Sequence, residues 1–292
     1  DIPMNMSLIG SASSGKASIV EVLKEQNYDE YFSKICDSNW PIVMGPWLSE
    51  VGFELLYWIP FLNRIVEEYR LDKRRIYIVS RGGVSSWYGD LASHYTDIFG
   101  LISAESFKSK NRDREETTGR QKHMDVGALD LELIRAWQVH HKREQFWWMH
   151  PALMYKRFMP FWKGKKSIRL IETNTRHLRI KTDTIQLIEQ KLPETYVAVK
   201  FYFSKAFPHK GVHEKYVARL LRRLVVKNSV VLLNTELDID GHDDVFSGAT
   251  DDVLTFSEFM TPENNLAIQS MLVGRSKAFL GTYGGFSYLA SY

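Results

Sequence analysis

The sequence predicts an α/β fold built on parallel sheets, and three observations carry that prediction. Apolar and β-branched runs recur at 41–47 (PIVMGPW), 75–80 (RIYIVS), 196–203 (YVAVKFYF) and 229–234 (SVVLLN). The stretches between them carry apolar residues at helical spacing. Strand, helix, strand in that order implies parallel pairing through a right-handed crossover.

Of the 292 residues, 44% are hydrophobic and 25% charged, which is ordinary globular composition with length enough for two domains. The formal net charge is only +3, so the chain as a whole does not read as a nucleic-acid partner. Cys36 is the single cysteine, which excludes an intrachain disulfide and makes a reducing, cytoplasmic setting the expectation. No apolar run reaches the roughly 20 residues a membrane-spanning helix needs, and no signal peptide is recognisable. The chain starts at Asp1 and ends at Tyr292, inside what reads as the first turn of a helix, so it is expected to be part of something longer.

Along the chain, residues 1–40 form an N-terminal extension in which Ile19, Val20, Val22 and Leu23 mark a short amphipathic helix. The strand at 41–47 runs into a Gly-Pro turn. From Glu50 to Tyr69 the spacing of Leu55, Leu56, Ile59, Leu62, Ile65 and Val66 is helical, with a kink expected at Pro60. The strand at 75–80 then turns at Arg81-Gly82-Gly83. Residues 105–125 are polar and charged and read as a mobile insertion. Helical pattern returns over 129–162, and a linker begins near Lys163–Lys166. This first unit spans 41–170.

The second unit, 171–292, opens with the strand at 196–203. His213 to Lys227 is an amphipathic helix that buries Val217, Leu220, Leu221 and Leu224. The strand at 229–234 and another at 253–256 follow. Thr261 and Pro262 read as the N-cap and first residue of a helix running to Arg275. Ala278–Gly281 is the last strand. Two Rossmann-like domains facing a cleft are the expected architecture.

The turn Gly281-Thr282-Tyr283-Gly284-Gly285-Phe286-Ser287 joins that last strand to a helix start. Parallel sheets bind ligands beyond the carboxyl ends of their strands, where glycines admit a diphosphate and helix-terminal amides stabilise it. The segment from Arg275 to Ala290 resembles the donor-side motif of GT-B glycosyltransferases, in which a Gly-containing loop and the following helix contact the donor's phosphates. That resemblance covers about the last 100 residues in order of elements. It implies that the turn holds the diphosphate of a nucleotide sugar, with Lys200, or nearby Lys205, as a basic partner. Glu236, after the strand at 229–234, is placed to accept from a ribose hydroxyl.

The segment Glu50-Val51-Gly52-Phe53-Glu54-Leu55-Leu56-Tyr57-Trp58-Ile59-Pro60 resembles the opening of heptosyltransferase-like GT-B enzymes, where a Gly-Asp-x-Leu stretch begins the first helix and a proline follows six residues after the acid. Aligning Pro60 with that proline implies that Glu54 is the catalytic base. This chain has Glu for Asp and places Phe53 between Gly52 and the acid, so Glu50 competes for the role. An inverting transfer needs such a group to take the acceptor hydroxyl's proton. As helix-terminal carboxylates, both also complement the helix dipole.

Other signals carry less. Gly10 to Ala17 (GSASSGKA) nearly matches a phosphate-binding loop, but Ala17 replaces the magnesium-binding hydroxyl; the alternative it supports is a phosphotransferase using Lys16. Asp238-Ile239-Asp240 recurs as a metal motif in the GT-A class, yet reads here as an acidic loop, and His140-His141 lack helical ligand spacing. No metal and no cofactor are expected. The stretch 140–169 interleaves aromatic and basic residues, a pattern suited to peripheral contact with an anionic membrane or to a glycan or glycolipid acceptor. Trp47, Arg81, Trp147 and Trp148 are the expected acceptor-binding residues. A non-catalytic glycan-binding module is the remaining alternative.

Overall fold

In the computed structural model, residues 19–25, 27–119, 122–203, 208–237, 239, 243–244 and 253–291 are described. Lys16 and its loop, Lys205, Asp238, Asp240, Asp1 and Tyr292 lie outside them. Two short helices, α1 (Ile19–Glu25) and α2 (Tyr28–Cys36), lay Val22, Tyr31, Phe32 and Ile35 on the core that follows. The first half then runs β1 (Ile42–Met44), α3 (Val51–Phe53), α4 (Ile59–Glu68), β2 (Ile76–Ser80), α5 (Ser85–Tyr88), β3 (His94–Asp97), α6 (Ala104–Thr118), α7 (Ala128–His141), β4 (Trp147–Met149) and α8 (Ala152–Trp162). Through α9 (Arg169–Asn174) and α10 (Gln186–Glu189) the chain reaches the second half. There follow β5 (Tyr196–Lys200), β6 (Tyr202–Phe203), α11 (Gly211–Leu224), β7 (Ser229–Leu232), β8 (Asp243–Asp244), β9 (Val253–Thr255), α12 (Asn265–Gly274), β10 (Ala278–Gly281) and α13 (Gly285–Leu289).

The first sheet has the order β3-β2-β1-β4 and the second β10-β5-β7-β9, and every pairing in both is parallel. Val43 lies opposite Tyr77 and Trp148; Val199 lies opposite Leu232 and Leu280. The central strands are buried on both faces, which is why they read as unbroken apolar runs. In each sheet the last strand returns beside the first. That order creates a switch point, between β1 and β4 in one sheet and between β5 and β10 in the other, where parallel sheets bind ligands.

The halves share core. Residues Asn265–Val273 of α12 are all buried, as a helix between two layers must be. Gly82 and Gly83, at φ +74° and +78°, let the turn after β2 close on α12: a Cβ on Gly82 would sit 2.7 Å from Leu266, and one on Gly83 2.7 Å from the Glu263 carbonyl. Trp87 Nε1 donates to Ser270 Oγ across the same junction at 2.9 Å. A separate apolar cluster, including Val199, Phe201, Val217 and Leu232, lies between the second sheet and α11.

Five expectations are corrected. Residues 104–118 are helical rather than irregular: Ser103 caps the start, Gly119 closes the end at φ +63°, and Phe107 anchors the helix in the core. The 50–69 helix is broken not by a kink at Pro60 but by a π-helical turn, Glu54–Trp58, with Pro60 in the first turn of α4. The Leu56 carbonyl that Pro60 has no N–H to serve accepts from His177 Nε2 at 3.2 Å. Trp147–Met149, expected within a helical stretch, is β4. Thr261 does not cap α12; its amide donates to the Asn264 side chain, and the helix starts at Asn265. The strand at 196–203 divides at Phe201, where β6 leaves the sheet to pair antiparallel with β8. Among the described residues no helix is long and apolar enough to cross a membrane.

Candidate active site at the carboxyl ends of the sheets

Strands β1, β2 and β4 are mainly apolar, and polar side chains gather where the strands of the first sheet end: Ser80 closes β2 with Arg81 next, Asp97 closes β3, and His150 follows β4. Glu54 opens the π-helical turn and points its carboxyl back at the end of β2. Its Oε1 accepts from Ser80 Oγ and from the Tyr88 hydroxyl, each at 2.6 Å. Oε2 is buried and has no hydrogen-bond partner. Burial lifts the pKa of this carboxyl to about 7, against the opposing pull of the two hydroxyl donors and of the Arg81 charge. At neutral pH it is therefore poised to hold or release a proton. π-helical turns inside α-helices recur at functional sites, and here the turn gives Glu54 its inward aim.

Asp97 lies alongside. Its Oδ2 accepts from the Gly83 amide at 2.8 Å and the Tyr95 hydroxyl at 3.0 Å, and burial raises its pKa. Arg81 is also buried; its Nη2 donates to the Ser49 carbonyl at 3.2 Å, and its guanidinium stands 5.7 Å from the centre of the Phe107 ring. Glu50, the residue preceding α3, is exposed.

In the second half the glycine turn is packed closely. A Cβ on Gly281 would lie 2.2 Å from the Lys200 carbonyl, and one on Gly284 2.2 Å from the Tyr202 hydroxyl. Gly285 rests on the start of α3, where a Cβ would fall 2.8 Å from Val51 and 2.9 Å from the Gly52 nitrogen. The turn thus meets the Glu50–Phe53 segment directly. The Thr282 amide donates to the Lys200 carbonyl, Ser287 Oγ donates to the Gly284 carbonyl, Tyr283 is exposed and Phe286 half-buried. Lys200 is not solvated: Nζ donates to the Leu233 carbonyl at 3.0 Å and to Asp244 Oδ1 at 2.9 Å, with the Phe286 ring centre 5.9 Å away. Glu236, in the left-handed region at φ +57°, accepts from Ser257 Oγ at 2.9 Å and is exposed.

The expected acceptor surface is corrected. Trp47 is fully buried and stacks on Trp58 and Tyr155; Trp147 and Trp148 are buried in β4, where Trp148 Nε1 donates to the Gly45 carbonyl at 2.6 Å. Rings enclosed in this way have no face left for a sugar. Phe146, Tyr155 and Phe158 are likewise core, so of the aromatic side chains in the 140–169 stretch only Phe161 and Trp162 are partly exposed, beside basic residues that face solvent.

In its overall course the chain is similar to two solved structures. One is a glycosyl transferase family 9 protein from Veillonella parvula, 14% identical, covering 87% of this chain and 78% of that one at a TM-score of 0.45. The other is the ADP-heptose lps heptosyltransferase II of E. coli, 11% identical, covering 86% and 81% at a TM-score of 0.45. No family model matches the sequence. No curated protein matches it either. Superposition this loose assigns no residue a role, so each role considered below rests on this chain's own geometry.

One cluster escaped the sequence reading. His123, Asp130 and His150 are all buried, and their ligand atoms lie within 4.8 Å of one another. His123 Nε2 donates to Asp130 Oδ1 at 2.6 Å, His150 Nε2 lies 3.1 Å from the same oxygen, and the Gly127 amide donates to Oδ2 at 2.8 Å. Burial lowers the His123 pKa to about 4, against the opposing pull of Asp130, so the ring is neutral at pH 7. Burial works against ionised Asp130, but the histidines hold its pKa below the usual carboxylate range. The set resembles a metal centre, but the Ala152 amide donates to His150 Nδ1 at 3.0 Å. That puts the proton on Nε2, the atom a metal would need bare; Nε2 approaches Asp130 Oδ1 without hydrogen-bond geometry, so the carboxylate is held by the His123 ring and the Gly127 amide. The signal available in the sequence was the pair Gly127 and Asp130 at a helix start, with a histidine directly after the WWM run.

Proposed function

We propose that the chain is a glycosyltransferase that moves a sugar from a nucleotide-sugar donor to a glycan or glycolipid acceptor, in a cleft between two Rossmann-like halves. The observation that carries this reading is the seating of Gly285 on Val51 and Gly52. It brings the turn after the second sheet's switch strand against the turn that bears the first half's two carboxylates. A donor phosphate bound at the one would lie beside a proton acceptor at the other.

In this reading the amides of the Gly281–Ser287 turn receive the diphosphate. Lys200, neutralised by Asp244, orients the turn from below. Glu54 takes the proton of the attacking hydroxyl once opening of the halves uncovers it, since its oxygen without a hydrogen-bond partner and its pKa of about 7 suit a general base at neutral pH. Exposed Glu50 stands at the lip and is the competing base. Transfer is metal-independent and takes place in a reducing compartment. The burial of Trp147 and Trp148 leaves the glycan-binding alternative only Phe161 and Trp162 of the 140–169 stretch as partly exposed rings.

The test is a thermal-shift and transfer assay against a panel of nucleotide sugars and nucleoside diphosphates. Glu54→Gln should abolish transfer while leaving donor binding within a few-fold of wild type, Glu50→Gln should cost less than tenfold, and EDTA should change neither. Glutamine at position 50 abolishing transfer while the Glu54 variant stays active would move the base to Glu50. Finding no stabilisation and no donor hydrolysis with any member of the panel would end the proposal.

A further inference from the structure

A cavity of about 550 Å³ lies between α4, the turn 89–91 and the connector around 176–181. That volume falls within the range of small-molecule sites, about 300–1,000 Å³. Its lining reaches Val66, Leu71 and Lys73 just before β2, and Leu91 just before β3, so it opens toward the strands' amino ends. Its inner wall includes Leu55, beside Glu54, and Tyr88, whose hydroxyl donates to Glu54, so it backs onto the site described above and opens on the opposite side. The floor is apolar, formed by side chains such as Ile59, Val66 and Leu91.

The mouth is cationic. Arg70, Lys73, Arg176, Arg179 and Lys181 line it, against the carboxylates of Glu67 and Asp90. Arg176 pairs with Glu67, and Lys181 reaches Asp90 at 3.8 Å. Among the described residues, Arg70, Lys73 and Arg179 form no ion pair, so uncompensated positive charge faces the opening. The roof is fixed in place. The Arg176 amide donates to the Pro60 carbonyl at 2.8 Å, Asn63 Nδ2 donates to the Arg176 carbonyl at 3.3 Å, and His177 holds the Leu56 carbonyl.

We propose that this cavity binds a small organic anion: an apolar body seated on the floor, with a phosphate, sulfonate or carboxylate held by Arg70, Lys73 and Arg179. An apolar pocket supplies the contact area, and a few convergent cations at its rim set orientation and select charge. The inference is independent of the transfer reaction and stands whether or not that reading does.

The test titrates the full chain with 8-anilinonaphthalene-1-sulfonate, an aromatic body carrying one anion, and in parallel with its uncharged relative N-phenyl-1-naphthylamine. The sulfonate should bind at one saturable site, at least tenfold tighter than the neutral probe, and 1-naphthyl phosphate should displace it. Combining Arg70→Gln, Lys73→Gln and Arg179→Gln should weaken the sulfonate at least tenfold and leave the neutral probe unchanged, whereas Glu67→Gln, which frees Arg176, should tighten it. Should the triple variant melt early, Arg179→Glu alone, at an exposed position, carries the same expectation. Equal affinity for the two probes, or sulfonate binding indifferent to these charges, would overturn the proposal.

Discussion

Replacing Glu54 by glutamine isolates the cost of an ionised carboxylate in the core of the first half. The side chain is 1% exposed, and burial moves its pKa from 4.5 to about 7. At about 1.4 kcal/mol per pKa unit, that displacement corresponds to about 3 kcal/mol. The folded pKa is the higher one, so the folded state favours the protonated carboxyl. The associated stability is complete below pH 4.5 and is lost as pH rises through 7. Glutamine cannot ionise and escapes that loss. Its amide would place a donor where Oε2 now lacks a partner, a penalty of about 1–3 kcal/mol that does not vary with pH. His123, buried and neutral, produces the opposite slope below pH 6.5 in both proteins and cancels in their difference. Urea unfolding at steps from pH 4.5 to 8 should therefore show the variant gaining about 3 kcal/mol on wild type across the range. A difference that stays level to within about 1 kcal/mol would refute the raised pKa and, with it, the case for Glu54 as a base at neutral pH.

Four further outcomes follow from the packing. Asp130→Ala strips the acceptor from His123 and from the Gly127 amide, and should cost about 3 kcal/mol in urea unfolding, with Asp130→Asn costing clearly less. Gly285→Ala drives a methyl into Val51 and should cost about 1–3 kcal/mol while weakening donor binding. Gly119→Ala, where the added Cβ meets open space, should cost only the left-handed backbone penalty of about 1 kcal/mol and leave ligand binding unchanged. Trp47→Ala should lower stability by about 3–5 kcal/mol, measured by thermal unfolding, because a fully buried ring stacked on two others is removed.

The strands that were legible in the sequence were those with a period and a boundary. Ile76–Ser80 and Ala278–Gly281 combine apolar runs with glycine turns, and both lie within a residue of where the pattern put them. Trp147–Met149 was not legible: three residues are too few to show a period, and the flanking segments are helical. Residues 104–118 failed for a different reason. Their helix is held by caps at Ser103 and Gly119 and by the tie from Lys110 to Glu132, not by an apolar face, so hydrophobic periodicity had little to register. At the site, the residue types at strand ends were readable, but their partners were not. Lys200 looked like a cation awaiting a phosphate because Asp244, 44 residues away, neutralises it only after β6 and β8 pair. The tryptophans misled because aromatic and basic residues interleave identically on a membrane-facing helix and in a buried strand beside a solvated loop. Only burial separates the two.

The π-helical turn before Pro60 also bears on how the two halves can move. Because a carbonyl of the first helix is left for His177 to take, and Pro60 and Asn63 hold Arg176, the connector is stitched to the first half well past its apparent start at Lys163. On the far side, the Ile185 amide contacts Met271, and Thr184 is held by Arg275. Any pivot between the halves is thereby confined to the few residues after His177 and before Thr184. Opening would be a short-armed rotation that must peel α12 away from Gly82 and Gly83, and loosening the stitch at Asn63 would lengthen the arm.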